Sequence, residues 1–247
     1  GRASEDFLAR DSGWVERLKQ VATRRLARDL LARAGGRPRA IADFGTGNGM
    51  LARALAAEAG ADATVYALDF FDEPPGPLAP ARYLGFAAAT PLHGTLDLVT
   101  CFHVLEHDDD SDAMLGRVLA FLRPGGTLVV EVPNVDCVWT PWFGRACANW
   151  YAPFHRVHFT RASLAALFRR HGLEIIAEDD ICGPTFALSF ESSGPSAWPT
   201  FRISSSSDAP SGSQPRNSGS SCSDRDWGAC SAASSVVGSS APRRRAA

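Results

Sequence analysis

Apolar residues recur at helical spacing at Trp14, Leu18, Val21, Ala22, Leu26 and Leu30. That pattern predicts an amphipathic helix over about residues 12–34, closed by Gly35-Gly36. Arg39–Phe44 is a short apolar run ending at an acid and glycines, which reads as a buried strand. Met50–Ala59 follows as a helix and Thr64–Phe70 as a second strand, ending at Asp69. Pro74, Pro75, Pro77 and Pro80 leave room for only a short helix or none. Arg82–Ala87 is a weak strand and Leu96–Val104 a strong one. Asp108–Leu122 is a helix with Leu115, Val118, Leu119 and Leu122 on one face, broken by Arg123-Pro124-Gly125-Gly126 before a strand at Thr127–Val132. Thr160 caps a helix through Arg170, Gly172 closes it, and Leu173–Glu178 is the next strand, with Thr185–Phe190 a candidate for the last. Strands alternating with helices at this spacing predict an α/β chain: a doubly wound, mainly parallel sheet flanked by helices. Such sheets bind ligands at the carboxyl ends of the strands, where the strand order reverses.

The length of 247 residues suits one ordinary domain with an appendage. Serine marks the boundary: residues 1–190 hold five and residues 191–247 hold eighteen. The expected division is an N-terminal helical segment over 1–36, a ligand-binding domain over 37–193, and a disordered Ser-rich tail over 194–247. Truncation after about Gly194 should then leave stability unchanged. Trp198, Phe201 and Trp227 are odd in such a tail.

With 27 acids against 25 bases the net charge is −2, so no electrostatic case exists for a nucleic-acid partner or an anionic membrane. No stretch approaches the roughly 20 apolar residues of a membrane span. The charged first thirty residues do not read as a signal peptide, and the opening at Gly1 implies that residues before it have been lost. The six cysteines are scattered without a CxxC, as expected of reduced thiols in the cytoplasm.

Asp43-Phe44-Gly45-Thr46-Gly47-Asn48-Gly49 lies at the turn from first strand to first helix. Glycines there permit positive φ and close approach of a ligand to the backbone. A dinucleotide loop needs GxGxxG, and Met50 stands where its third glycine belongs. The spacing is DxGxGxG, which resembles the first motif of class I S-adenosylmethionine-dependent methyltransferases. Asp69, at the end of the second strand, can accept hydrogen bonds from both ribose hydroxyls, and Phe70 can stack beside the adenine. Three further segments extend the resemblance. Leu96–His107 looks like the fourth-strand motif fDxVxxxxvLEH, and Leu122–Leu128 like LxPGGxL. Pro153–Thr160, with Ser163-Leu164 and Gly172-Leu173, is similar to PxHxxHFsxxsL…GF of methyltransferase type 23.

The resemblance implies the Rossmann-like methyltransferase fold and the cofactor S-adenosyl-L-methionine, held by Asp43, Gly45, Thr46, Gly47, Asn48, Gly49, Asp69, Phe70, Ala87, Ala88, Cys101 and Phe102. The family often has an acid after the third strand, and Phe86 or Ala87 stands in its place here. The adenine would then rest on backbone and apolar contacts.

The implied reaction moves a methyl group to a small-molecule acceptor, O- or C-methylation, by in-line displacement. An acceptor hydroxyl or activated carbon must also lose a proton, a task that suits histidine. His155 is the first candidate base, with His103 and His107 on the rim as the others, and His158 is expected to fix its loop. His103-x-x-Glu106-His107 resembles the metal cluster ExxEH of quinone-precursor O-methyltransferases, with His in the first position. Most relatives with a bare LEH need no metal, and none is assigned. Residues 134–159 form an insertion with Trp139, Trp142, Phe143, Trp150 and Tyr151, expected to act as a lid. The alternatives are a non-catalytic binding or assembly protein of the same fold and a nicotinamide oxidoreductase. The acceptor and the oligomeric state are left open by the sequence.

Overall fold

The computed structural model describes residues 13–35, 37–137, 139–181 and 233–240. Helix α1 (Gly13–Arg33) leads into strand β1 (Ala40–Phe44), helix α2 (Met50–Glu58), β2 (Thr64–Asp69), β3 (Arg82–Gly85) and β4 (Leu96–Phe102). Helix α3 (Ser111–Leu119), β5 (Leu122–Pro133), the short α4 (Thr140–Phe143), α5 (Arg161–Arg170), β6 (Leu173–Ile181) and β7 (Ala233–Ser240) follow. The sheet order is β3-β2-β1-β4-β5-β7-β6. The pairs from β3 to β5 are parallel, and β7 runs antiparallel to both β5 and β6. The order reverses between β1 and β4, which places the switch point at Phe44 and Cys101.

Period-two alternation divides the strands between two cores. Ile41, Val65, Ala67, Leu98 and Val129 face one side and pack with Ala27 and Leu30 of α1 and Leu55 of α2. Ala42, Phe44, Val99, Cys101, Leu128 and Val130 face the other, against Leu115 and Val118 of α3 and Leu164 and Phe168 of α5. Thr160 and Ser163 form a reciprocal cap at the start of α5. Such a cap contributes about 1 kcal/mol. Full burial of Phe168 and Leu164 contributes about 1.5–3 kcal/mol each, so packing rather than capping holds this helix.

The predicted elements appear with three differences. Helix α3 starts at Ser111, because Asp110 accepts the Ala113 N–H and caps it there, and Leu122 belongs to β5. The break at Arg123–Gly126 is a bulge: Leu96 pairs with Leu122, and Leu98 with Thr127. The expected disorder over 194–247 meets an exception at Ala233–Ser240, which fills the slot between β5 and β6. The candidate strand at 185–190 lies outside the described residues.

Asp97 ties the amino ends of the strands together. Its Oδ2 accepts the N–H groups of Arg39 and Ala40 at 2.7 and 2.9 Å, and its Oδ1 accepts Arg123 Nε–H at 2.6 Å. Burial alone would raise this carboxyl. The Ala40, Arg123 and Arg39 hydrogen bonds outweigh it and hold the carboxyl below its usual range. No helix among the described residues is long and apolar enough to cross a membrane.

Candidate functional site

The glycine loop is fastened to β2 from the start. The N–H groups of Gly45 and Thr46 both donate to the Leu68 carbonyl, at 2.8 and 3.0 Å. Beneath the loop, Asp43 is 3% exposed and accepts the hydroxyls of Thr46 and Thr100, each at 2.8 Å. Burial pushes its carboxyl pKa up against the pull of those hydroxyls. Asp43 therefore anchors the loop with both oxygens.

Gly45 sits at φ +74°, where an added Cβ would meet Val104 Cγ2 at 2.3 Å. Gly47 is different: at φ +52° an added Cβ would meet nothing within 4 Å among the described residues. The loop thus leaves space at Gly47, a candidate cradle for a ligand. Asn48 Oδ1 accepts the Met50 N–H at 3.0 Å and starts α2, while Gly49 packs on Leu78.

Asp69 stands on the rim of this cradle. Its Oδ2 accepts the Gly47 N–H at 2.9 Å and its Oδ1 the Phe70 N–H at 2.7 Å. Each oxygen keeps further acceptor capacity for hydroxyl groups. Phe70 is 59% exposed and sets its edge on Phe86, with ring centroids 4.4 Å apart; Phe86 in turn stacks on Phe44 at 4.4 Å. These rings border a cavity of about 520 Å³ that reaches Met114 and Phe121. Ala87 and Ala88 lie in the turn after β3, where the Phe86 N–H donates to the Asp69 carbonyl and the Ala88 N–H to that of Gly85. Cys101 is fully buried, and burial pushes its thiol up.

The histidines separate into two kinds. His103, at φ +55°, has both ring nitrogens engaged: Nδ1 is 3.2 Å from Glu106 Oε1 and Nε2 3.2 Å from Glu131 Oε1. Burial pulls its pKa down, but hydrogen bonds and charge from the two glutamates overcome this and push it up to about 10. His103 is held as a donor to two carboxylates and is not placed to receive a proton.

His155 and His107 converge elsewhere. His155 Nδ1 lies 3.0 Å from the Asn149 carbonyl, and His107 Nδ1 lies 3.0 Å from that of Phe154. Carbonyl oxygens only accept, so both Nδ1 atoms carry the proton, and in the neutral rings the lone pair sits on Nε2. The two rings stand at 4.9 Å in a T-shaped arrangement. Burial, the leading influence, lowers the pKa of His155. His158 Nε2–H donates to the Trp150 carbonyl at 2.9 Å, which ties it to its loop.

Residues 149–159 return to the turn after β4. The N–H groups of Arg156 and Val157 donate to the Glu106 carbonyl at 2.7 and 3.1 Å. Asn134 bridges to Phe159, and Asn149 Nδ2 donates to the Asn134 carbonyl at 2.6 Å. Tyr151 and Phe154 stack at 5.0 Å and are each 56% exposed above His155. Within the segment, Thr140 Oγ1 lies 3.5 Å from Cys137 Sγ and 3.7 Å from Cys147 Sγ. Sequence reasoning missed Glu131 and Asn149. Neither sits in a motif, and their roles come from contacts across the fold.

A family model described as a methyltransferase domain matches residues 17–178, more than half of the chain. Solved structures share the fold. Burkholderia thailandensis 1,6-didemethyltoxoflavin-N1-methyltransferase, with bound 1,6-didemethyltoxoflavin and S-adenosylhomocysteine, is 20% identical with a TM-score of 0.52, covering 93% of this chain and 82% of that one. A Thermotoga maritima SAM-dependent methyltransferase, a possible histamine N-methyltransferase, is 15% identical with a TM-score of 0.53, covering 92% and 91%. A SAM-dependent methyltransferase from Archaeoglobus fulgidus is 14% identical with a TM-score of 0.53, covering 93% and 100%. No curated protein sequence matches the chain.

Proposed function

This chain belongs to the methyltransferase domain family, and on that premise we propose that it transfers a methyl group from S-adenosyl-L-methionine to a small-molecule acceptor. The observation that carries the reading is the pairing of Asp69 with Gly47 across an open cradle at the β1/β4 switch point. The cradle residues fit the cofactor. Gly45–Gly49 receive its amino-acid portion, Asp69 the ribose hydroxyls, and Phe70 with the Ala87-Ala88 turn the adenine, beside the backbone of Cys101 and Phe102.

When bound, the cofactor supplies a methyl group on a sulfonium, whose departure as a neutral thioether needs little assistance. The protein's work is then alignment and exclusion of water. Tyr151 and Phe154 present apolar faces on the acceptor side, suited to a flat or apolar molecule. The proton that an acceptor hydroxyl or carbon sheds is received at Nε2 of His155, with His107 beside it. His103 is outside that role and orients Glu106.

Titration with S-adenosylhomocysteine beside NADH tests the cofactor, and a labelled-methyl screen over phenols, sugars and small acids tests the transfer. His155→Ala should lower turnover by about 10²–10⁴-fold with S-adenosylhomocysteine affinity intact. Nucleotide binding with no preference over NADH would sink the reading.

A further inference from the structure

The geometry points to a binding site for one divalent transition-metal ion formed by Glu106, His107 and His155. Their ligand atoms all lie within 4.8 Å of one another. A tetrahedral site with bonds of about 2.1 Å has edges near about 3.4 Å, so closure on an ion needs a movement of about an ångström, within reach of side-chain rotation.

Two independent features favour an ion over a passive cluster. First, Nδ1–H of each histidine is pinned to a backbone carbonyl, His107 to Phe154 and His155 to Asn149. This is how metal-ligating histidines are held: the outer hydrogen bond fixes the ring and turns the Nε2 lone pair inward. Second, Glu106 is 1% exposed, and its Oε2 has no hydrogen-bond partner among the described residues. A buried polar oxygen without a partner is costly, and a cation removes that cost.

The ligand set differs from the sequence spacing that first drew attention to this stretch. His103 is consumed by the two glutamates, and the third ligand arrives from the folded-over segment. Two imidazoles and one carboxylate suit a borderline ion such as Zn²⁺, Fe²⁺ or Co²⁺ better than Mg²⁺ or Ca²⁺, which prefer all-oxygen sites. Glu106 is buried, His155 half-buried and His107 exposed, so the remaining coordination positions open toward the acceptor side. On the methyl-transfer reading, an ion here would take up the two Nε2 lone pairs and replace the histidine base: it would polarise an acceptor hydroxyl, whose proton would pass to solvent water. The ion-binding site itself does not depend on that reading.

The test is a Co²⁺ titration of the full chain after chelator treatment, followed by visible absorption and calorimetry. One saturable Co²⁺ per chain is expected. His155→Ala and Glu106→Gln should each weaken it by at least about tenfold, and His171→Ala, at a distant histidine, should leave it unchanged. Should the buried Glu106→Gln variant fail to fold, His155→Ala, on the partly exposed segment, decides alone. No saturable Co²⁺ site, or one that His155→Ala does not weaken, overturns the proposal. S-adenosylhomocysteine titrated into the same samples separates the two readings. Its binding without Co²⁺ binding removes the ion and leaves methyl transfer standing; Co²⁺ binding without it keeps the ion and removes methyl transfer.

Discussion

Asp69 Oδ2 accepts the backbone N–H of Gly47 at 2.9 Å, so the acid that closes β2 also sets the shape of the loop that follows β1. A change at either residue reaches the same ligand surface.

Asp69→Ala should weaken S-adenosylmethionine binding by roughly 1.5–3 kcal/mol, the range for hydrogen bonds to a charged group. Gly47→Val should abolish it, because a branched side chain at φ +52° would occupy the open cradle. Calorimetry with S-adenosylhomocysteine reads both. Parental affinity in the two folded variants would refute the assignment.

Gly45→Ala tests the loop's packing. Its Cβ would stand 2.3 Å from Val104 Cγ2, and overpacking of this kind costs about 1–3 kcal/mol. Val104→Ala in the same chain should restore part of that loss. The urea midpoints of the single and double variants check it, and no restoration would assign the loss wholly to the positive φ.

Asp97 gives a pH-dependent contribution to stability. Its folded pKa lies below the unfolded value, so its stabilisation is present above the unfolded pKa and fades as pH falls through the folded one. Asp97→Asn should cost about 1–2 kcal/mol at pH 7. The gap from the parent should narrow below about pH 4, where the parent's carboxyl also protonates. Urea unfolding at pH 7 and pH 3 measures it; a gap that widens in acid would contradict the network.

Truncation after Gly194 should now lower the melting temperature by several degrees, the reverse of the sequence-based expectation. It removes β7 and opens facing edges on β5 and β6. Thermal unfolding of the truncated and full chains decides this, and equal midpoints would show that β7 adds nothing to the sheet.

The parts of the molecule that were legible in sequence are those whose cause is local. The strand–loop–helix around Gly45–Gly49 announces itself through an apolar run, an acid and alternating glycines. Thr160 and Ser163 announce the start of α5 in the same way. The bulge at Arg123–Gly126 was visible only as a break, because its form depends on how Leu96 and Leu98 pair across the sheet. His103 stood beside His107 as a further candidate base until Glu131, from another strand, took its second nitrogen. Ala233–Ser240 was illegible because serine and glycine carry little strand signal; the slot between two existing strands makes this segment a strand.

The order of synthesis gives β7 one more consequence. Its neighbours in the sheet end at Pro133 and Ile181, but β7 itself is residues 233–240. At about 5–20 residues per second, a growing chain waits about 3–10 s after β6 is made before the strand that joins β5 to β6 exists. During that interval the Val-rich stretch Leu128–Val132 has an unpaired edge while the rest of the sheet is already able to form. Chaperone capture and misassembly would therefore concentrate late in translation, at β5, far from the glycine loop that is among the first parts of the sheet to be made.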